Sequence, residues 1–365
     1  MFYERSFNIS GPAFGWIESY LSQRSQRVIL DGKHSDWVPV LSGIAAGSIL
    51  GPILFTCYVA DLPIHIKTSC LSYADDVKIF NRISCPADAD SLQADLNRLS
   101  SWSKTWHLKL NPAKCKSITF TLRSSPFYVS YVLDGHQLER CVRMRDLGII
   151  LDTKLTFADH IDATVSKANR MLGLLMRSMQ LSTHAHRTRF DHVAVLSAYK
   201  AQVRSVIEYG CLIWSGAAIT HLRRLERLQH RFFMWLGSKT QATCPPLDYK
   251  SLLELFRCQS VRSRFIQTDL LFMRSVFGCH VDCTDITGMF PLSAPVRRTR
   301  HPELFHVPRR CGRVDTVKRG FLVRLPQLAN TFAESSPDTD FFLPSCSVRS
   351  DMVKFANDQG TYLDF

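Results

Sequence analysis

The residues with the clearest capacity for chemistry are two adjacent carboxylates, Asp75 and Asp76. They lie in the stretch Leu71-Ser72-Tyr73-Ala74-Asp75-Asp76-Val77-Lys78-Ile79-Phe80. Leu71 to Ala74 reads as one strand and Val77 to Phe80 as a second, which predicts a short hairpin with the two carboxylates at its tip. Along a regular strand neighbouring side chains diverge to opposite faces. At a hairpin tip that alternation relaxes, and both carboxylates can lie near one cation. Adjacent carboxylates repel unless positive charge sits between them. Hard cations such as Mg²⁺ and Mn²⁺ prefer oxygen ligands and suit such a pair. The alternative is a solvated turn, since Asp also favours turns for local backbone reasons.

The elements that must position this pair begin upstream, with Ser42-Gly43-Ile44-Ala45-Ala46-Gly47-Ser48-Ile49-Leu50-Gly51-Pro52-Ile53-Leu54-Phe55. Gly43, Gly47 and Gly51 recur at every fourth position and allow close approach of another backbone. Ser48 as a cap, or Pro52 at a first turn, would start a helix whose buried face is Ile53, Leu54, Tyr58 and Leu62. Asp61-Leu62-Pro63 then leads to the hairpin.

These two motifs, in this order, resemble the reverse transcriptases of non-LTR (LINE-type, Jockey/CR1-like) retrotransposons. The family's loop reads approximately G-V-P-Q-G-S-V-L-G-P-L-L-F, and its catalytic hairpin reads Tyr-Ala-Asp-Asp, as Tyr73 to Asp76 do here. Ala45 and Ala46 stand where the family usually has Pro and Gln, so the Gln that positions the incoming nucleotide is replaced. The resemblance implies Asp75 and Asp76 as catalytic metal ligands. It implies Gly43, Gly47, Ser48, Gly51, Pro52 and Tyr73 as nucleotide and template contacts. Lys114, after Leu108-Lys109-Leu110-Asn111-Pro112-Ala113, matches a family lysine near the triphosphate, a solvated lysine being the plainer reading.

Trp16 to Arg24 resembles the family's W-I-x-S-Y-L-S-x-R element, which follows a strand bearing the first catalytic Asp. That placement puts the strand, the fingers and any endonuclease before Met1, so residues 1–365 are expected to be N-terminally truncated and to hold half an active site. Two-metal polymerases hold their ions about 3.5–4 Å apart and bridge them with carboxylates from both strands. Glu4 and Glu18 belong to the wrong element for that role.

The chain has 365 residues, 45% hydrophobic and 21% charged, a globular composition with room for two or three domains. Its formal net charge of +13 and sequence pI of about 9.3 favour an anionic partner, nucleic acid before a membrane surface. The 12 cysteines contain no C-x-x-C pair and read as reduced and mostly buried. Cys279-His280-Val281-Asp282-Cys283, with His301, His306 and Cys311 beyond, offers ligand types at a spacing that matches no common zinc finger. Phe2-Tyr3-Glu4-Arg5 lacks a basic segment followed by an apolar run, so an intracellular protein of the nucleus or cytoplasm is expected. Residues 38–60 carry no charge and are long enough for a bilayer, which takes about 20 residues. Pro39, Gly43, Gly47, Gly51 and Pro52 break that run, so a membrane span is not expected.

Further along, period-two and period-3.6 patterning separate cleanly. A helix is predicted over Gly11 to Arg27, and an amphipathic one over Asp88 to His107 with Leu92, Leu96, Leu99 and Trp106 as its stripe. Strands are predicted for Gln26 to Leu30 and Ser117 to Leu122, and a hairpin turn at Asp134-Gly135. Asp146-Leu147-Gly148-Ile149-Ile150-Leu151-Asp152 resembles the family element that joins palm to thumb and grips the primer. From His160 the pattern turns helical: Ile161, Val165, Ala168, Leu172, Leu175 and Met179 on one helix, a second from Thr188 to Tyr209, and a third carrying Leu222, Leu225, Phe232 and Trp235. The third bears Arg223, Arg224, Arg227 and Arg231 on its other face, placed to track phosphates or simply solvated. Glu208-Tyr209-Gly210 and Trp214 echo the family's L-E-Y-G-x-x-x-W. A helical region follows from Tyr249 to Phe277, then a Pro- and Arg-rich stretch with Arg297, Arg298, Arg300, Arg309, Arg310 and Arg313 that reads as a loosely packed connector or tail. Residues 335–365 carry little signal.

The expected fold is α+β: a partial right-hand polymerase palm, an antiparallel sheet backed by helices, over residues 1–157; a helical thumb-like region over 158–240; and a helical then irregular C-terminal region over 241–365. The function implied is RNA-directed DNA polymerisation on an RNA template and DNA primer with dNTPs and Mg²⁺ or Mn²⁺. The alternative is a catalytically inactive remnant that only binds nucleic acid.

Overall fold

The computed structural model describes residues 7, 9–45, 47–125, 127–186, 191–240, 248–278, 281, 284–293, 303–307, 319–336, 339, 341–342 and 346–360, with 180–186 and 346–347 as backbone only. Ala46, Glu4, Thr188, Cys279, His280, Asp282 and Cys283 of the 279–283 cluster, His301, Cys311 and the six arginines of the Pro/Arg-rich stretch lie outside the described residues. The chain forms two compact units, Met1–Thr119 with Arg123–Cys141, and Phe120–Leu122 with Val142–Phe365.

The first unit starts with helix α1 (Gly11–Leu21) and short strands β1 (Ser25–Gln26), β2 (Ile29–Leu30), β3 (Lys33–His34) and β4 (Val38–Pro39). None of α1 is buried. Helix α2 (Leu50–Val59) and the single turn α3 (Leu62–His65) lead into β5 (Ser69–Tyr73) and β6 (Asp76–Phe80). Helix α4 (Pro86–Thr105) follows. Pro86 opens it, and the Asp88 carboxylate accepts from the Ser84 and Cys85 amides at 2.7 and 3.0 Å, which ends the preceding loop. Its apolar stripe packs Leu99 and Trp102 with Leu62, Ile66, Leu133 and Leu138 into one core, against which Leu96, Trp106, Cys70 and Ile79 lie half-buried. Ile53, expected on the buried face of α2, is 55% exposed. Leu62 belongs to α3, because Asp61-Leu62-Pro63 interrupts the helix and resets its face.

The strands of this unit pair in twos rather than in one broad sheet, and one pairing, β7 (Lys116–Ile118) with β10 (Glu139–Cys141), is parallel. Between them β8 (Val132–Leu133) and β9 (His136–Gln137) close a hairpin through Asp134-Gly135, both at positive φ, the turn expected for that dipeptide.

The second unit carries the hairpin β11 (Arg143–Asp146) and β12 (Ile149–Asp152) and then helices. Asp152 ends β12 and starts the next helix: its carboxylate accepts from the Lys154, Thr156 and Phe157 amides at 3.0, 3.1 and 2.9 Å. The long helix α5 (Ala158–His186) buries Ile161, Val165, Ala168, Leu172 and Leu175, the expected stripe, with Met179 packed at its margin. The helix expected from Thr188 to Tyr209 is divided: α6 (His192–Tyr199), a π-helical turn (Lys200–Arg204) and α7 (Ser205–Glu208). Then come α8 (Cys211–Trp214), α9 (Ile219–Lys239), α10 (Tyr249–Leu255) and α11 (Val261–Phe277). Leu225, Phe232, Phe233 and Trp214 join this core at 0% exposure.

Beyond the short α12 (Thr284–Thr287) the described residues include two further helices. Helices α13 (Phe321–Ser335) and α14 (Cys346–Gln359) contribute Leu325, Ala329, Phe332, Val348, Met352 and Phe355 to a second core with Leu270, Met273, Phe290 and Phe305. That core rests on scattered phenylalanines far apart in sequence, which no local periodicity reveals. Of the seven cysteines whose side chains are described, all free, only Cys211 is buried; five are half-buried and Cys85 is exposed, against the expectation of mostly buried thiols.

Candidate active site

The hairpin at the centre of the site is set by its register. Tyr73 pairs with Asp76, Leu71 with Lys78 and Ser69 with Phe80, so these six side chains share one face. The turn is therefore Ala74-Asp75, one residue earlier than the pattern suggested, and Asp76 opens β6. Ala74 takes φ +52°, a left-handed conformation that a glycine would adopt more cheaply. Asp75 and Asp76 are both exposed at the tip. The shared face is open, with Leu71 58% and Tyr73 64% exposed. On the opposite face Cys70 and Ile79 pack against the core built on α4.

The base of the hairpin is fixed by a residue the sequence reading missed. Asp95 on α4 is fully buried, at 0% exposure. Its carboxylate accepts from the Lys67 and Thr68 amides at 3.0 and 2.7 Å, immediately before β5, and pairs with Arg98. Burial pushes its pKa up, but these hydrogen bonds outweigh it and hold the carboxyl at about 2. The signal was present: Asp95 falls three after Leu92 and four before Leu99, inside the apolar stripe. Asp61, of the Asp-Leu-Pro link, accepts from the Trp102 indole N–H at 3.0 Å and so ties the same helix to α3.

The glycine loop closes on itself. Ser48 Oγ donates to the Ala45 carbonyl at 2.8 Å and accepts from the Gly51 amide at 3.0 Å, capping α2 as one reading expected. Gly43 and Gly47 sit at φ +78°. A Cβ on Gly51 would lie 2.8 Å from Ser48 Oγ, so that residue must be glycine for the cap to form. Pro52 is exposed in the first turn of the helix. Arg24, from the first sequence element, donates to the Gly43 carbonyl at 2.5 Å and to Leu21 at 3.0 Å, which anchors the loop to α1. Lys114 is exposed, and its amide closes a turn onto the Asn111 carbonyl at 3.0 Å.

The four arginines of α9 lie in the second unit and are not equivalent. Arg224 pairs with Asp162 and Arg231 donates to Asn169 Oδ1 at 2.7 Å, both across to α5. Arg223 is half-buried, and Arg227 is exposed. The expected free phosphate-tracking face is thus partly spent on packing two helices.

Residues 3–174 match the reverse transcriptase family. The matching description is reverse transcriptase (RNA-dependent DNA polymerase), and the matched segment contains the Tyr73–Asp76 hairpin, the glycine loop and Lys114. The chain is also similar to curated relatives from Drosophila melanogaster. It is 32% identical over 234 residues to a probable RNA-directed DNA polymerase from transposon BS, covering 60% of this chain and 25% of the relative. It is 29% identical over 226 residues to the RNA-directed DNA polymerase from mobile element jockey, covering 58% and 24%. The X-element polymerase, a probable RNA-directed DNA polymerase, is 28% identical over 232 residues, covering 61% and 25%. The chain spans about a quarter of the length of these relatives. The resemblance to reverse transcriptases of non-LTR transposons therefore stands on the whole matched segment as well as on the two motifs.

Reverse transcriptases depend on divalent metal. The donor chemistry here fits: Asp75 and Asp76 offer oxygen ligands at an accessible tip, as a hard cation requires. The set is short, because among the described residues no group of three His, Cys, Asp or Glu side chains is placed to hold a metal ion. Among the same residues no helix is long and apolar enough to cross a membrane.

Proposed function

We propose that this chain is the palm and thumb portion of a reverse transcriptase that extends a DNA primer on an RNA template. The observation that carries the reading is the Tyr73–Asp76 hairpin, whose two carboxylates stand at an exposed tip inside a segment matching that family. In this reading residues 1–157 are palm, 158–240 thumb and 241–365 a C-terminal extension. Asp75 and Asp76 hold Mg²⁺ or Mn²⁺, with a further carboxylate coming from elsewhere. When bound, the divalent ions activate the primer 3′ hydroxyl and neutralise charge on the dNTP.

The residues of this chain do the rest by positioning. Asp95 holds the base of the hairpin, so that the tip does not shift with strand fraying. Tyr73, cross-strand from Asp76, lines the open face on which a primer end would lie. The loop from Gly43 to Pro52, anchored by Arg24 and closed by Ser48, supplies a backbone surface for template and nucleotide, and Lys114 supplies a cation for the triphosphate. Arg227, the arginine of α9 most open to solvent along with Arg231, contacts backbone phosphate. A second reading, binding without catalysis, draws on the short donor set.

Binding of a fluorescent RNA–DNA hybrid tests the shared part of both. Each phosphate contact releases counterions, so log affinity should fall with log salt by about 0.7 to 0.9 per contact, for all sequences alike. Arg227→Glu should weaken every sequence equally and flatten the slope. Affinity that stays level from low to physiological salt would overturn the nucleic-acid reading.

A further inference from the structure

Beside the core of the first unit, α3 and α4 border an open cavity of about 370 Å³. That volume lies within the range of small-ligand sites. The residues that line it from α4 and its C-cap repeat every fourth position: Asn97, Ser101 and Thr105 in one row, Arg98, Trp102 and Trp106 in the next. His65, the last residue of α3, completes the lining.

One wall is aromatic and fixed. The Trp102 and Trp106 rings lie 6.4 Å apart at 44°. Trp102 is buried, and its indole N–H donates to Asp61 at 3.0 Å. Trp106 is half-buried; its ring meets Tyr58 edge-on at 5.2 Å, and the Tyr58 hydroxyl donates to its carbonyl at 2.7 Å. The rim carries N–H donors. Arg98 gives Nη1 to Asp95, and Asn97 uses Oδ1 to accept from Gln93 at 3.0 Å. The Arg98 Nε and Nη2 and the Asn97 Nδ2 therefore stay available to a guest. No carboxylate lines the cavity. The two acids that touch its residues are engaged: Asp61 with Trp102 and His65, Asp95 with Arg98 and the Lys67 and Thr68 amides.

A fixed aromatic wall, a rim of donors and no acid suit a planar guest that bears acceptors. A nucleobase is such a guest, and stacking on aromatic side chains is how single strands are held. Guanine offers O6 and N7, two acceptors that a guanidinium meets as a pair. A base inside a duplex has both faces stacked, so the guest is unpaired. An apolar peptide would leave the Asn97 and Arg98 donors unmatched. The formal net charge of +13 favours the phosphates that come with a base.

We propose that this cavity binds one unpaired purine, guanine above all, of a single-stranded nucleic acid, stacked on Trp106 and met at its edge by Arg98 and Asn97. The site is built from α3 and α4 and shares no residue with the Asp75-Asp76 tip. The proposal rests on the nucleic-acid reading above and adds a contact to a strand outside the duplex.

The test measures the affinity of residues 1–365 for three fluorescent probes: a blunt RNA–DNA hybrid, a single-stranded RNA with guanosine at its centre, and the same RNA with an abasic unit there. The abasic strand keeps the phosphates and removes the base. The unaltered chain should bind the guanosine strand roughly five- to hundredfold more tightly than the abasic one, the worth of one stacked base. Trp106→Leu should erase that preference. Asn97→Asp keeps the acceptor for Gln93 and removes the donor, so it should lower the preference by roughly three- to tenfold. Asn97 is exposed, so this variant still decides should Trp106→Leu fail to fold. A preference that survives undiminished in Asn97→Asp overturns the proposal. So does a proline-rich peptide that shifts the Trp102 indole N–H resonance where the guanosine strand does not, which would make the cavity a peptide groove. Hybrid binding with equal affinity for the two RNA strands overturns this proposal and leaves the nucleic-acid reading intact. Binding of none of the three probes overturns both.

Discussion

Asp75 and Asp76 stand out in the sequence because two adjacent charges in an apolar run have few explanations, and the loop before them narrows those further. Their turn was placed one residue late because nothing in Tyr-Ala-Asp-Asp marks the left-handed position; Ala74 occupies it where glycine would have announced it. Asp95 was passed over for a related reason: a carboxylate on an apolar stripe reads as an interruption, whereas here it is the partner of two amides. Asp95→Ala would leave those part-buried amides without their carboxylate partner, at a total cost of about 1–3 kcal/mol. Thermal unfolding of the first unit should show the loss, and an unchanged melting temperature would mean that water replaces the carboxylate. The pH dependence follows from the sign of the shift. The folded pKa, about 2, lies below the unfolded one, so the contribution is complete above about pH 4 and is lost as pH falls through 2. Asp95→Asn should remove that part of the acid transition.

Among the elements, the long helices were readable from period alone. The α5 stripe from Ile161 to Leu175 is buried as its spacing requires. What spacing does not show is how the polar face of a helix is used. Glu226, on the inner side of α9, is 2% exposed and accepts from the Tyr249 hydroxyl at 2.6 Å and from the Val261 and Arg262 amides at 3.3 Å. It thereby caps α11 from a different helix, and Gln229 extends the network to Tyr199 at 3.0 Å. Burial pushes the Glu226 pKa up, and the hydrogen bonds only partly offset this. A folded pKa above the unfolded one gives a contribution that is present below about pH 4.3 and is lost as pH rises through the raised value. The second unit should therefore melt lower as pH climbs above that point, and Glu226→Gln should flatten the slope. A slope identical in the variant would assign the dependence to another group. The α9 arginines teach the same lesson: Arg224 and Arg231 are joined to α5, so a sequence-level basic face is only partly a surface for phosphate.

At the scale of the molecule, composition pointed to an anionic partner, and the change from short strands to long helices near residue 158 is visible in both pattern and structure. The division into compact units is not, because the segment Phe120–Leu122 packs with the second unit while its neighbours on both sides pack with the first. Nor was the C-terminal core, which gathers Phe290, Phe305, Phe332, Phe341 and Phe355 from separate stretches. The central claim is the proposed one, that Asp75 and Asp76 together with a further carboxylate hold the metal of a polymerase site. Primer extension on an RNA template with Mg²⁺ or Mn²⁺ tests it most directly, comparing residues 1–365 alone with the same residues joined behind the preceding segment of the jockey polymerase. The account predicts no incorporation by residues 1–365 alone, incorporation by the fusion, and its loss in the fusion bearing Asp75→Asn. Incorporation by the fusion that persists undiminished with Asp75→Asn would contradict it.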